Sequence, residues 1–183
     1  MSAATRQIQG FYEARGNFAM PKDRARQIFE GSLEITSRYA GPLVLESLVG
    51  IELPSPANPI NVQAIRLGDA RHAALVTRRS FVGKKVPTVP GSCIPDPQSS
   101  RTFVQYDPNG LNATDYSIGV GVHEFSHSLG IVEHCNDTSC IMQAGLYPKQ
   151  VVTLLANPFC DNCAEELVLA GHYAMPTRAS APS

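Results

Sequence analysis

Several features that would send the reading elsewhere are missing from this chain. No apolar run approaches the roughly 18 residues that read as a membrane span. The opening stretch, MSAATRQIQGFYEARG, has no apolar core of the kind a secretory leader needs. A membrane partner is therefore not expected, and a cytoplasmic location is. An excess of charge is missing as well. The 15 Lys and Arg nearly balance the 16 Asp and Glu, for a formal net charge of -1, and the basic residues are scattered apart from pairs such as Arg78-Arg79 and Lys84-Lys85. That pattern leaves no electrostatic footprint for nucleic acid. No internal repeat is visible and no linker-like break interrupts the composition. With 183 residues, of which 43% are hydrophobic, a single domain over 1–183 is expected, large enough to pack its own core.

Cysteine is scarce and unevenly placed. Cys135, Cys140, Cys160 and Cys163 fall late in the chain as C-x4-C and then C-x2-C, a spacing that favours metal over disulfides. The remaining thiol, Cys93 in PGSCIPDP, is read as merely buried or tolerated.

Along the chain, residues 1–20 are polar and mixed, and they read as a loosely held or short-strand beginning. PKDRARQIFEGSLEITSRYA carries apolar residues at helical spacing behind a first-turn proline, and predicts a helix. GPLVLESLVGIEL, INVQAIRLG, HAALVTRRSFVG and RTFVQYD read as strands, while the proline-rich KKVPTVPGSCIPDPQSS reads as a long surface loop without regular structure. NATDYSIGVGVHEFSHSLG predicts a helix stopped by Gly130; PKQVVTLLA and CAEELVLAGHYA predict two more, before a frayed tail at 176–183. The order suggests an α+β domain with a mixed twisted sheet, a central helix that carries the chemistry, and a C-terminal helix.

The chemistry is concentrated in HEFSHSLGIVEHC. Residues four apart share a helix face, so His123 and His127 can aim their imidazoles at one ion with Glu124 beside it. The plainer alternative, a surface helix with two incidental histidines, is disfavoured by the apolar residues Ile118, Val120, Val122, Phe125 and Leu129 around them. A catalytic zinc takes three protein ligands and leaves a fourth position for water, so a third ligand is expected soon after Gly130, where the chain can turn back. Here the sequence resembles the metzincin clan, with its H-E-x-x-H-x-x-G-x-x-H pattern followed by a methionine turn. Counted from His123, that pattern lands on Glu133, and the histidine, His134, comes one residue late.

The cysteines narrow the resemblance. His123-Glu124, His127, Gly130, His134-Cys135, Cys140, Met142, Cys160 and Cys163 resemble the archaemetzincin family of zinc metallopeptidases over about residues 115–165, with one extra residue between Gly130 and His134. The resemblance implies a compact metzincin-like domain, a catalytic zinc on three histidines, Met142 packed beneath it, a second zinc on four cysteines, and peptidase activity. A bulge over Ile131-Val132-Glu133 would bring His134 to the metal, since neighbours on extended chain point opposite ways. His134 is preferred because the family spacing is intact from Cys135 onward, so that the cysteine zinc would pin the bulge, and Glu133 remains the alternative ligand.

The expectation is then a monomeric zinc peptidase acting on peptide or protein, with two Zn2+ per chain and Glu124 as general base. A catalytically inactive zinc-stabilised binding module, or a dithiol redox protein using Cys160 and Cys163, are the rival readings. RTFVQYD is either an ordinary strand or, by the metzincin resemblance, the sheet edge that receives an extended peptide. Tyr147 and His172 carry no spacing argument and are assigned no role.

Overall fold

A computed structural model describes residues 5–53, 57–83, 88–95, 99–131 and 133–172, with side chains to residue 170. The chain order is β1 (Arg6–Glu13), α1 (Lys22–Ala40), β2 (Leu43–Ile51), β3 (Ala73–Thr77), β4 (Phe81–Val82), β5 (Thr88–Val89), β6 (Gly91–Ile94), β7 (Arg101–Gln105), α2 (Ala113–Leu129), α3 (Pro148–Leu154) and α4 (Asp161–His172), with one short 3-10 turn at Val62–Ala64.

The main sheet runs β2-β1-β3-β7-β6; β4 and β5 form a separate antiparallel pair. Strands β2, β1, β3 and β7 are parallel to one another, and β6 alone is antiparallel, so the sheet is mixed as expected. Parallel neighbours need a long crossover, and α1 supplies it between β1 and β2. Its buried residues Ala25, Ile28, Phe29, Ser32, Leu33 and Thr36 recur every three or four positions, which is the stripe a helix lays on a sheet. All five residues of β3 are buried, as befits a strand covered on both faces.

One face of the sheet packs against the helices through Val76, Val104, Phe29, Val122 and Phe125. The other face holds Phe11, Leu75, Phe81 and Phe103 over a smaller cluster. A buried ion pair pins the two central strands together: Glu13, at the end of β1, receives the Arg79 guanidinium and the Thr77 hydroxyl, and Arg79 also donates to Ala57 O at 3.0 Å.

Three sequence expectations meet a different outcome, and one open alternative is decided. Residues 6–13, read as a loose or short-strand start, form an eight-residue interior strand. Its partners are β2 and β3 from far along the chain, and strand propensity depends on such neighbours more than on the segment itself. INVQAIRLG yields the 3-10 turn, because Asn61 Oδ1 accepts the Gln63 N–H at 3.0 Å and curls the chain; the buried Ile60 and Val62 imitate strand alternation. KKVPTVPGSCIPDPQSS, expected to be irregular, contributes β5 and β6. Pro90 precedes β6, has no N–H to leave unpaired, and accepts from Gln105 N at 2.7 Å. Of the two readings of RTFVQYD, the ordinary strand holds: it is β7, an interior strand, and β6 forms the sheet edge beside it. The tail at 176–183 lies outside the described residues.

Candidate metal centres

Helix α2 is enclosed along most of its length, with Val120, Val122, Phe125 and Leu129 among its buried residues. His123 and His127 sit on one face near its C-terminal end. Gly130 then stops the helix at φ 124, a left-handed value that suits a residue without a Cβ. Its N–H donates to His127 O at 3.1 Å, and Ile131 N to Ser126 O at 3.2 Å. The chain past Gly130 returns His134 to the two helix histidines.

The three imidazoles converge through their Nε2 atoms. His127 Nε2 is 3.0 Å from His123 Nε2 and 3.4 Å from His134 Nε2, and one nitrogen from each of the three rings lies within 4.8 Å of the others. The opposite nitrogens are engaged. His123 Nδ1 donates to Ile141 O at 2.7 Å, and His127 Nδ1 donates to Ile131 O at 2.6 Å. A carbonyl can only accept, so each Nδ1 carries the proton and each Nε2 of the neutral ring presents a bare lone pair.

Burial, followed by the positive charge His127 would carry, pushes His123 down to about 3 and keeps that ring neutral. Burial also lowers His127. The two bare lone pairs on His123 and His127 repel one another at 3.0 Å, and a cation between them, within reach of His134 as well, satisfies both. Zinc–nitrogen bonds of about 2.0–2.1 Å in a tetrahedron imply nitrogen separations of about 3.3 Å, so this donor set fits zinc. Glu133 is exposed and is not part of the cluster.

Glu124 follows His123 on α2 and is 9% exposed. Burial raises its carboxyl to about 8 in the metal-free chain. Strand β6 lies directly over it, since Gly91 approaches both Glu124 and Val120. The sequence reading missed β6. The available signal was a short GSCI stretch between prolines, too brief to separate from loop.

The second cluster brings together Cys135, Cys140, Cys160 and Cys163, with all four sulfurs within 4.8 Å of one another. All are free thiols, and Cys135 Sγ and Cys160 Sγ are 3.6 Å apart, far longer than a disulfide of about 2.05 Å. Four sulfurs at about 2.3 Å from a zinc would stand about 3.8 Å apart, so this set also fits the ion. Burial raises Cys140 and Cys163, and the neighbouring thiols raise Cys163 further; burial also works upward on Cys160, but hydrogen bonds with Cys163, Cys135 and Cys140 together outweigh it and lower that thiol. Metal binding would draw all four to thiolate.

One short segment joins the two clusters. Ile141 holds His123 through its carbonyl, and its N–H donates to Pro158 O at 2.6 Å. Met142, fully buried, accepts the Cys135 N–H at 2.9 Å. Tyr147 is 66% exposed, and the side chain of His172 lies outside those described.

Comparison with family sequence models and with curated proteins finds no match. Solved structures do match. Archaemetzincin from Methanopyrus kandleri superposes with a TM-score of 0.64 at 18% identity, over 90% of this chain and 95% of that one. A zinc-dependent peptidase from Methanocorpusculum labreanum gives 0.58 at 18% identity, over 87% and 99%. Metalloproteinase-II from Bacteroides fragilis gives 0.65 at 12% identity, over 92% of this chain and 53% of that protein. The chain thus shares its fold with archaemetzincin and zinc-peptidase structures at low sequence identity.

Proposed function

We propose that this protein is a zinc metallopeptidase that hydrolyses peptide bonds. The observation that carries the reading is the convergence of three imidazole Nε2 atoms, from His123, His127 and His134, two of them bare, beside the buried carboxyl of Glu124. In this reading the three histidines hold a catalytic zinc, with Glu133 the alternative to His134. When bound, zinc supplies Lewis acidity: it polarises a substrate carbonyl, steadies the oxyanion and acidifies a water. Glu124, buried beside the three histidines, is the group that would accept a proton from an attacking water and return it to the leaving amine.

The carbonyls of Ile141 and Ile131 fix the ring orientation of His123 and His127, the usual office of outer hydrogen bonds around a metal. Cys135, Cys140, Cys160 and Cys163 hold a second zinc with no open position, a structural site that staples the Met142 turn to α4. Met142 packs beneath the histidines without binding metal.

The substrate is a peptide or protein, and β6 is the surface to receive it. Pro90 O bonds back to Gln105 N, so the alternation of an antiparallel ladder turns the N–H and C=O of the next residue, Gly91, away from β7. Among the described strands none pairs with that edge. An extended peptide laid there would pass over Glu124. The working unit in this reading is a monomer. No described helix is long and apolar enough to cross a membrane.

The test is hydrolysis of a peptide library by zinc-loaded protein beside Glu124→Gln. Cleavage lost in the variant with zinc retained supports the enzyme; an inactive wild type with full zinc supports the binding module.

A further inference from the structure

Gly91 begins β6 where the strand crosses α2. A Cβ at Gly91 would stand 2.6 Å from Glu124 Oε1, 2.8 Å from Glu124 Cγ and 2.6 Å from Val120 Cγ1. Atoms do not pack that closely, so a side chain there forces something to move. Gly91 lies opposite Val104 of β7 and is tied there through its neighbour Pro90, whose carbonyl accepts from Gln105 N, and Val120 is buried at 2% exposure inside the helix packing. The end of the Glu124 side chain is the freest of the three to yield. Gly91 is not among the glycines with positive φ, so its backbone does not demand glycine. What demands it is space.

We propose that Gly91 is a positioning residue for Glu124: the missing side chain forms the seat of the carboxylate, and any Cβ drives the base out of line. The inference rests on Glu124 acting as the base. Substrate pairing at Gly91 would use its backbone groups, which alanine also has. A substitution therefore strikes the rate of the chemical step and spares binding. Misplacing a catalytic group by about 1 Å costs on the order of a hundredfold in rate.

The experiment compares the zinc-loaded full chain with Gly91→Ala and with Gly91→Ala/Val120→Ala, by crystal structure, zinc analysis and steady-state cleavage of a fluorogenic peptide. The double variant removes the Val120 contact and leaves the two contacts with Glu124, so it serves even if the single variant folds poorly. In both variants the carboxylate is expected to move by about 1 Å, with kcat down about tenfold to a hundredfold, KM within about twofold and the zinc content unchanged. A carboxylate that stays in place while β6 shifts overturns the proposal, as does a displaced carboxylate with unchanged kcat, or a double variant whose rate recovers. A wild-type chain that binds zinc and cleaves nothing would defeat the peptidase reading instead, and the crystal structures would still decide whether Gly91 seats the carboxylate.

Discussion

The histidine and cysteine clusters share one stretch of chain, yet they are built in opposite ways. The histidines take two ligands from the end of a buried helix and one from exposed chain, and they keep a buried carboxyl alongside. The cysteines draw two thiols from the turn around Met142 and two from the start of α4, with no acid or base in their cluster. Three neutral donors leave a metal with a free position and its charge undiminished; four thiolates fill the shell and more than cancel that charge. The contrast separates a centre suited to chemistry from one suited to holding the fold. The Ile141 carbonyl makes the first depend on the second.

The comparison breaks most severely if a thiol is removed. Cys163→Ser should forfeit the cysteine metal and with it several kcal/mol of stability, because a structural zinc binds through free energy that is also folding free energy. Thermal unfolding with zinc analysis reads this, and a variant as stable as wild type would show that the cluster staples nothing. Removing the base should do the reverse. Glu124→Gln is expected to lower kcat by about 10²–10⁴ while both metals and the melting temperature hold.

A change remote from both centres calibrates the scale. Glu13→Ala leaves Arg79 buried without its carboxylate and should cost about 3–5 kcal/mol in denaturant unfolding with no selective loss of either metal. The smallest expected effect sharpens the link between helix end and metal. Gly130→Ala strains the residue at φ 124 by about 1–2 kcal/mol, and it should weaken zinc at the histidines more than at the cysteines, because the Ile131 carbonyl that orients His127 follows directly. Competition with a chromogenic chelator separates the two affinities.

How much of this was legible in the sequence follows from how local each feature is. His123, Glu124 and His127 are fixed by helix geometry alone, and Cys135, Cys140, Cys160 and Cys163 by ligand spacing, so both clusters could be named before any fold was known. The preference for His134 over Glu133 rests on the intact spacing from Cys135 onward, and the structure brings His134 to the other two rings. The interior place of β1 and the edge place of β6 are settled by strands distant in sequence. Periodicity within RQIQGFYE or GSCI carries no information about such partners, which is why one reads as a loose or short-strand beginning and the other as loop. Gly91 was missed for the same reason: its need for space arises from Glu124 and Val120 on a helix that follows it in the chain.

The most direct test of the account is elemental zinc analysis of the reduced protein beside His134→Ala. Two zincs per chain in the wild type and one in the variant, with the four thiols still shielded from alkylation, is the predicted result. A variant that keeps both metals and loses one only when Glu133 is also replaced would contradict the assignment of His134, and a wild-type value near one would contradict the two-centre account itself.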